Sequence, residues 1–171
     1  MTPIEIHNEQ LAGRIIKHLE RRNFSAHYCA TAAEAIALVK SLIPNGNSIT
    51  WGGSQTIREM GLTSKLIDSG DYKVIDRDKA TTPEQIRQCY LDAMNVDYFL
   101  TSANAITQDG VIVNIDGRGN RVAAITWGPE HVIHIIGMNK VTASVESALE
   151  RARNLAAPIN TARLGCDTPC R

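Results

Sequence analysis

Short apolar runs rich in β-branched and aromatic residues alternate along this chain with longer stretches of helical periodicity. That alternation restricts the fold more than any other feature. The short runs are Phe24–Cys29, Asn47–Trp51, Tyr72–Ile75, Val96–Leu100, Val111–Ile115 and His131–Ile136. Between them lie helical patterns with recognisable starts and stops. Asn8 is a plausible N-cap for a helix carrying Leu11, Ile15 and Leu19, which ends near Arg21-Arg22-Asn23. Thr31-Ala32-Ala33-Glu34 is a capping box, and Ile36, Val39, Leu42 and Ile43 follow on one side until Pro44-Asn45-Gly46. Thr56 and Glu59 form a second box ahead of Gly61, and Leu62–Ser69 adds further helix. Thr82-Pro83-Glu84-Gln85 combines an N-cap, proline at the first helical position and glutamine at the third. That helix turns Ile86, Cys89, Tyr90 and Ala93 inward. Asn120 or Arg121 opens a short helix to Ile125, and Ser144 caps a last long one that Pro158 ends.

Strands alternating with helices predict βαβ units with right-handed crossovers. The expected fold is α/β, with a mostly parallel central sheet flanked by helices. Asp109-Gly110 is a hairpin signal and adds a local antiparallel pair. Neither repeats nor low-complexity linkers interrupt the pattern. One domain is expected over residues 1–160, followed by an irregular C-terminal tail over residues 161–171. A chain of 171 residues is long enough to bury a sizeable core, about 70% of its unfolded surface.

Charge narrows the partners. The 18 basic and 18 acidic residues balance, so no nucleic-acid footprint or anionic-membrane affinity is expected. No apolar run approaches the roughly 20 residues of a membrane span. Met1–Ile6 is too polar for the apolar part of a signal peptide, and the expected location is cytoplasmic. Cys29 and Cys89 are expected as packed thiols. Cys166 and Cys170 could supply at most half of a metal or cluster site.

The residues with chemical potential gather at strand ends. Thr50-Trp51 gives way to Gly52-Gly53-Ser54, Leu100-Thr101 to Ser102-Ala103-Asn104, and Ile136 to Gly137-Met138-Asn139-Lys140. In open α/β sheets, ligands bind beyond the carboxyl ends of the strands. If these strands are parallel neighbours, their polar ends form one crevice, with Asp116–Arg121 as a further wall. Gly52-Gly53-Ser54 reads as an anion cradle, although it matches neither the Walker A nor the dinucleotide fingerprint. Arg121 and Lys140 would balance the anion's charge. Asn104 and Asp116 are the catalytic candidates, as hydrogen-bond donor and as base or orienting group. Ser102, Asn120 and Asn139 complete the ligand-binding set. Each has a plain alternative: a turn, a cap or an exposed polar residue. His131 and His134, three apart on a strand, fall on opposite faces and are not expected to share a metal.

Three segments carry a family resemblance: W-G-G-S-Q-T-I-R-E-M-G, T-S-A-N-A-I-T-Q-D-G-V-I-V-N-I-D-G-R-G-N-R-V-A-A and I-I-G-M-N-K-V. They resemble the LUD-domain family, the lactate-utilisation proteins of the LutC/YkgG type. The resemblance implies a fold of the NagB/RpiA/CoA-transferase-like superfamily. It implies a bacterial role in oxidising lactate to pyruvate beside iron–sulfur partner subunits. It implies a site at Gly53, Ser54, Ser102, Asn104, Asp116, Asn120, Arg121, Asn139 and Lys140. The sugar-phosphate isomerases of that superfamily carry acidic residues where this chain has Ser102-Ala103-Asn104-Ala105. An amide is no carboxylate base, so isomerisation is not expected.

The function expected is therefore a component of a lactate-utilisation system that binds a small anionic metabolite, carboxylate or phosphate. Its cofactors are unknown, and a homodimer is admissible. The alternatives are a non-catalytic metabolite-binding or regulatory subunit, and a CoA-ester or phosphate-ester transferase or hydrolase.

Overall fold

The computed structural model describes residues 1–169. In chain order the helices are α1 (Pro3–Glu20), α2 (Ala32–Leu42), α3 (Gln55–Glu59), α4 (Leu62–Ser69), α5 (Pro83–Asp92), α6 (Asn120–Thr126), α7 (Val145–Arg151) and α8 (Ala157–Leu164). The strands are β1 (Ser48–Trp51), β2 (Lys73–Val74), β3 (Tyr98–Thr101), β4 (Ala105–Thr107), β5 (Ile112–Val113), β6 (His131–His134) and β7 (Val141–Thr142). Packing divides the chain into two compact units. One is built from residues 1–31, 103–117 and those from Ile136 onward. The other is built from residues 32–102 and 118–135.

The second unit holds the parallel sheet, with strand order β2-β1-β3-β6. Side chains alternate across it, as strand geometry requires. Ile49, Trp51, Leu100 and Ile133 point to one face and pack against Val39 and Ile43 of the α2 region, Ile57 of α3, and Leu62 and Leu66 of α4. Phe99 and Val132 point to the other face and pack with Val96, Ala124 and Ile125. The α/β expectation of a mostly parallel sheet flanked by helices describes this unit. The start of the β1–β3 pair is pinned by Asp97, whose Oδ2 accepts from the Ser48 N–H at 2.6 Å and the Ser48 hydroxyl at 2.7 Å. These bonds hold the Asp97 carboxyl below its usual pKa range, the backbone bond first.

The first unit has a small sheet of order β5-β4-β7, with β4 antiparallel to β5 and parallel to β7. Leu11 and Ile15 of α1 pack on Ile106 of β4. The Asp109-Gly110 turn forms as its sequence predicts. The Gly110 N–H donates to Thr107 O and the Thr107 N–H to Val111 O. The Thr107 hydroxyl bonds the Asp109 carboxylate and lowers its pKa.

Four expectations change. Phe24–Cys29 forms no strand; Phe24 is exposed, and no ladder takes up these backbone groups. Helix α1 begins six residues before Asn8, at an N-cap on Thr2 that shares a capping box with Glu5. Helix α3 is capped by Ser54 rather than Thr56. Pro158 does not end the last helix. A π-helical stretch over Ala152–Ala156 precedes it, and the chain continues as α8 to Leu164, so the expected irregular tail opens in helix. Proline lacks the N–H and crowds the carbonyl four residues back, and a widened turn relieves both.

Gly110 gives a direct test of the first unit. Its φ is +81°, and a Cβ there would lie 3.1 Å from Arg22 Nη1 and 3.3 Å from the Leu19 side chain. Gly110→Ala is expected to destabilise by about 1–2 kcal/mol from the left-handed backbone alone. Gly117 has open space around it and no positive φ, so Gly117→Ala should stay within about 0.5 kcal/mol of the parent. Urea titration of the two variants checks the contrast.

Candidate functional site

The strand order β2-β1-β3-β6 contains a change of direction. From β1 the chain goes through α3 and α4 to β2 on one side, and β3 lies on the other. Between β1 and β3 the connections lead away in opposite directions, and a crevice is left beyond their carboxyl ends. The last rung across this gap is the Gly52 N–H to Leu100 O bond at 3.0 Å.

An open recess lies at this point. It is lined by Thr50, Gly52, Arg77, Cys89, Tyr90, Ala93, Phe99, Asn120 and Ala124, all within the second unit. Its walls are apolar where α5 and α6 meet the sheet, and its rim is polar. Its free volume is about 20 Å³, room for about one ordered water, so it is a shallow notch open to solvent.

Two arginines crowd the glycine loop at the rim. A Cβ on Gly53 would lie 2.9 Å from Arg77 Nη2. A Cβ on Gly52 would lie 3.3 Å from Thr101 Oγ1 and 3.7 Å from Arg121 Cδ. Arg77 thus closes on Gly53 with the end of a flexible side chain, and Arg121 lies at ordinary contact distance from the Cβ position of Gly52. Arg121 comes from the first turn of α6, and its Nη1 donates to the Ser102 carbonyl at 3.3 Å, which fixes it over the end of β3. Arg77 comes from the 3-10 turn Arg77–Lys79 between β2 and α5. Its Nη1 donates to the Tyr90 hydroxyl at 3.5 Å, and its guanidinium carbon lies 5.8 Å from the Tyr90 ring centroid. Among the described residues no carboxylate is ion-paired with Arg77.

The loop amides are less available than an anion cradle would need. Gly52 N–H is used on Leu100 O, and Ser54 N–H donates to Gly52 O at 2.7 Å. Ser54 Oγ accepts from the Ile57 N–H as helix cap. The sequence candidates Gly52, Ser102, Asn120 and Arg121 come together here, with Gly53 and Ser54 on the adjoining loop. Asn104, Asp116, Asn139 and Lys140 belong to the first unit. There Asn104 Oδ1 accepts from the Ile115 N–H at 2.8 Å, and its carbonyl accepts from Arg151. Asp116 follows β5 in a half-buried loop, and Asn139 is exposed on the 3-10 turn Met138–Lys140.

Sequence patterning does not reveal Arg77, Tyr90 or His134 as site residues. Ile75-Asp76-Arg77-Asp78-Lys79 reads as a solvated charged linker, and only the turn's return towards Gly53 gives Arg77 a role. The helix pattern turned Tyr90 inward, but not towards a ligand. His134 ends β6 with its Nδ1 buried and without a partner among the described residues. Burial first, and the Arg121 charge second, push its pKa down to about 4. Cys29 and Cys89 are half-buried and Cys166 is exposed; Cys170 lies outside the described residues. No three His, Cys, Asp or Glu side chains cluster in metal-holding geometry among the described residues. No helix among them is long and apolar enough to cross a membrane.

The class defined so far is an α/β protein with an arginine-rimmed recess at the switch point of its parallel sheet. A family model described as LUD domain matches residues 12–171, and the chain belongs to that family, which is associated with lactate utilisation. No curated protein and no solved structure matches the chain.

His134 makes acid stability a test of this geometry. Unfolded, the ring takes a proton near pH 6.5; folded, it does so only at about 4. Between those values the unfolded chain binds more protons, so stability falls as pH falls. The loss should approach about 3 kcal/mol across the window. Urea midpoints at pH 7, 5.5 and 4 would measure it, and His134→Gln should flatten the dependence.

Proposed function

We propose that the second unit binds a small monocarboxylate of the lactate and pyruvate class, as one component of a lactate-utilisation system. The carrying observation is the approach of Arg77 and Arg121 to the neighbouring glycines Gly53 and Gly52, beside a small apolar recess. A guanidinium presents a planar fork of donors that matches a carboxylate. Arg77 and Arg121 would take the carboxylate oxygens. Asn120 and the Ser54 hydroxyl would donate to the polar group next to it. The short carbon chain would lie across the mouth of the recess, on the side of Phe99, Ala93 and Ala124.

Family membership supports the pathway, and the pairing of two cations with a small apolar recess supports the ligand class. Electron transfer is assigned to iron–sulfur partner subunits, with this chain holding the organic acid. Coenzyme A esters and sugar phosphates are the other anionic ligand classes, and the same binding series separates them.

The test is a thermal-shift and calorimetric series with lactate, pyruvate, inorganic phosphate, a sugar phosphate and coenzyme A. Lactate or pyruvate at a hundred times its Kd should add about 2.7 kcal/mol of stability. Arg77→Ala or Arg121→Ala each removes a charge-assisted bond of about 1.5–3 kcal/mol, which weakens Kd by roughly 10- to 150-fold. Gly53→Ala should also weaken binding by displacing Arg77, while leaving unfolding stability within about 1 kcal/mol, because the atom it meets ends a flexible side chain. Stabilisation by phosphate or coenzyme A with no response to either carboxylate would overturn the assignment.

A further inference from the structure

The arginine that crowds Gly53 stands on a turn with little apolar packing of its own. None of Arg77, Asp78 and Lys79 is buried, and the turn is one 3-10 step long. Its start is set by Asp76, whose side chain accepts from the Asp78 N–H at 3.0 Å. Its far side is tied to α3. Arg58 Nη2 lies 2.8 Å from both carboxylate oxygens of Asp78. Arg58 in turn sits four residues after Ser54 on the short helix that the glycine loop leads into. The loop, α3, the Arg58–Asp78 pair and the 3-10 turn therefore close a ring that returns Arg77 onto Gly53.

We infer that the Arg58–Asp78 ion pair is a latch that positions Arg77 for anion binding, with neither of its members touching the ligand. The inference rests on the carboxylate reading of the recess. Among the described residues Arg77 is otherwise held by a long bond to the Tyr90 hydroxyl and by the face of that ring. With the latch open, the turn has no ionic tie to α3. Arg77 then samples positions away from the loop, and each carboxylate bound must first bring it back.

The sign of one substitution separates the latch from plain electrostatics. Asp78 is a negative charge next to a site for anions, so Asp78→Asn should tighten anion binding if only its field matters. A latch predicts the reverse. The pair is about one-third to one-half exposed, and exposed pairs contribute modestly, so the expected weakening of the lactate Kd is about two- to fivefold. The exchange Arg58→Asp with Asp78→Arg should bring affinity back towards the parent value, although it moves both charges.

A second measurement needs no ligand. Phenylglyoxal labels accessible arginines, and the peptide bearing Arg77 can be followed by mass spectrometry. Labelling of Arg77 should rise severalfold in Asp78→Asn and fall again in the exchanged pair. If lactate and pyruvate fail to bind the parent protein, the ligand assignment is lost while the labelling still decides the latch. Unchanged Arg77 labelling in Asp78→Asn, or tighter lactate binding in that variant, overturns the latch.

Discussion

The bond from the Gly52 N–H to the Leu100 carbonyl closes the ladder between β1 and β3. Beyond it the two strands have no further partner in each other, because one chain direction leads to β2 and the other to β6. Parallel strands cannot be joined by a tight turn and need a crossover that packs on a sheet face. The helices of those crossovers cover the two faces of the sheet, as its two hydrophobic clusters record. What they leave uncovered is the edge where β1 and β3 part. Gly52 is buried there. A Cβ at that position would crowd Thr101 Oγ1 at 3.3 Å and meet Arg121 at ordinary contact distance, so the residue that ends the ladder also adjoins the cation.

Placing two arginines at such an edge has a cost that the surroundings offset in different ways. Arg121 is anchored through a carbonyl, a neutral acceptor that orients the guanidinium without cancelling its charge. Arg77 lies near the ring and hydroxyl of Tyr90, which likewise leave the charge in place. A carboxylate partner for Arg77 would have competed with an anionic ligand, and among the described residues none is ion-paired with it. His134 adds no third charge, since burial and Arg121 both favour its neutral form. The rim's positive charge is therefore carried by the two guanidinium groups.

Much of this architecture was legible in local sequence. Thr82-Pro83-Glu84-Gln85 gave the start of α5 to the residue, because a capping box and an N1 proline are satisfied within one turn. The central strands β1, β3 and β6 were found within two residues of their ends, since buried parallel strands read as apolar runs. What was not legible depended on tertiary partners. Strand β4 spans three residues and is defined by its pairing with β5 and β7. Phe24–Cys29 has strand composition and no neighbour to pair with. Of the candidate site, the glycines, Asn120 and Arg121 could be read from their places at strand and helix ends. Arg77 could not, because its value comes from a turn whose direction is set by an ion pair with a residue 20 positions away.

The same logic explains why small polar residues at strand ends are ambiguous until their hydrogen bonds are counted. Asn104 and Asn120 both follow the pattern of a binding residue. The Asn104 side-chain oxygen is committed to the Ile115 N–H and its carbonyl to Arg151. Burial pushes the Arg151 pKa down, and a carbonyl acceptor is what makes a partly desolvated guanidinium tolerable there. Asn104 thus supports the turn into Asp116 and the start of β4. Asn120 instead lines the recess. In a chain with many Asn, Ser and Thr at strand ends, what separates Asn120 from Asn104 is that it faces an open space beside Arg77.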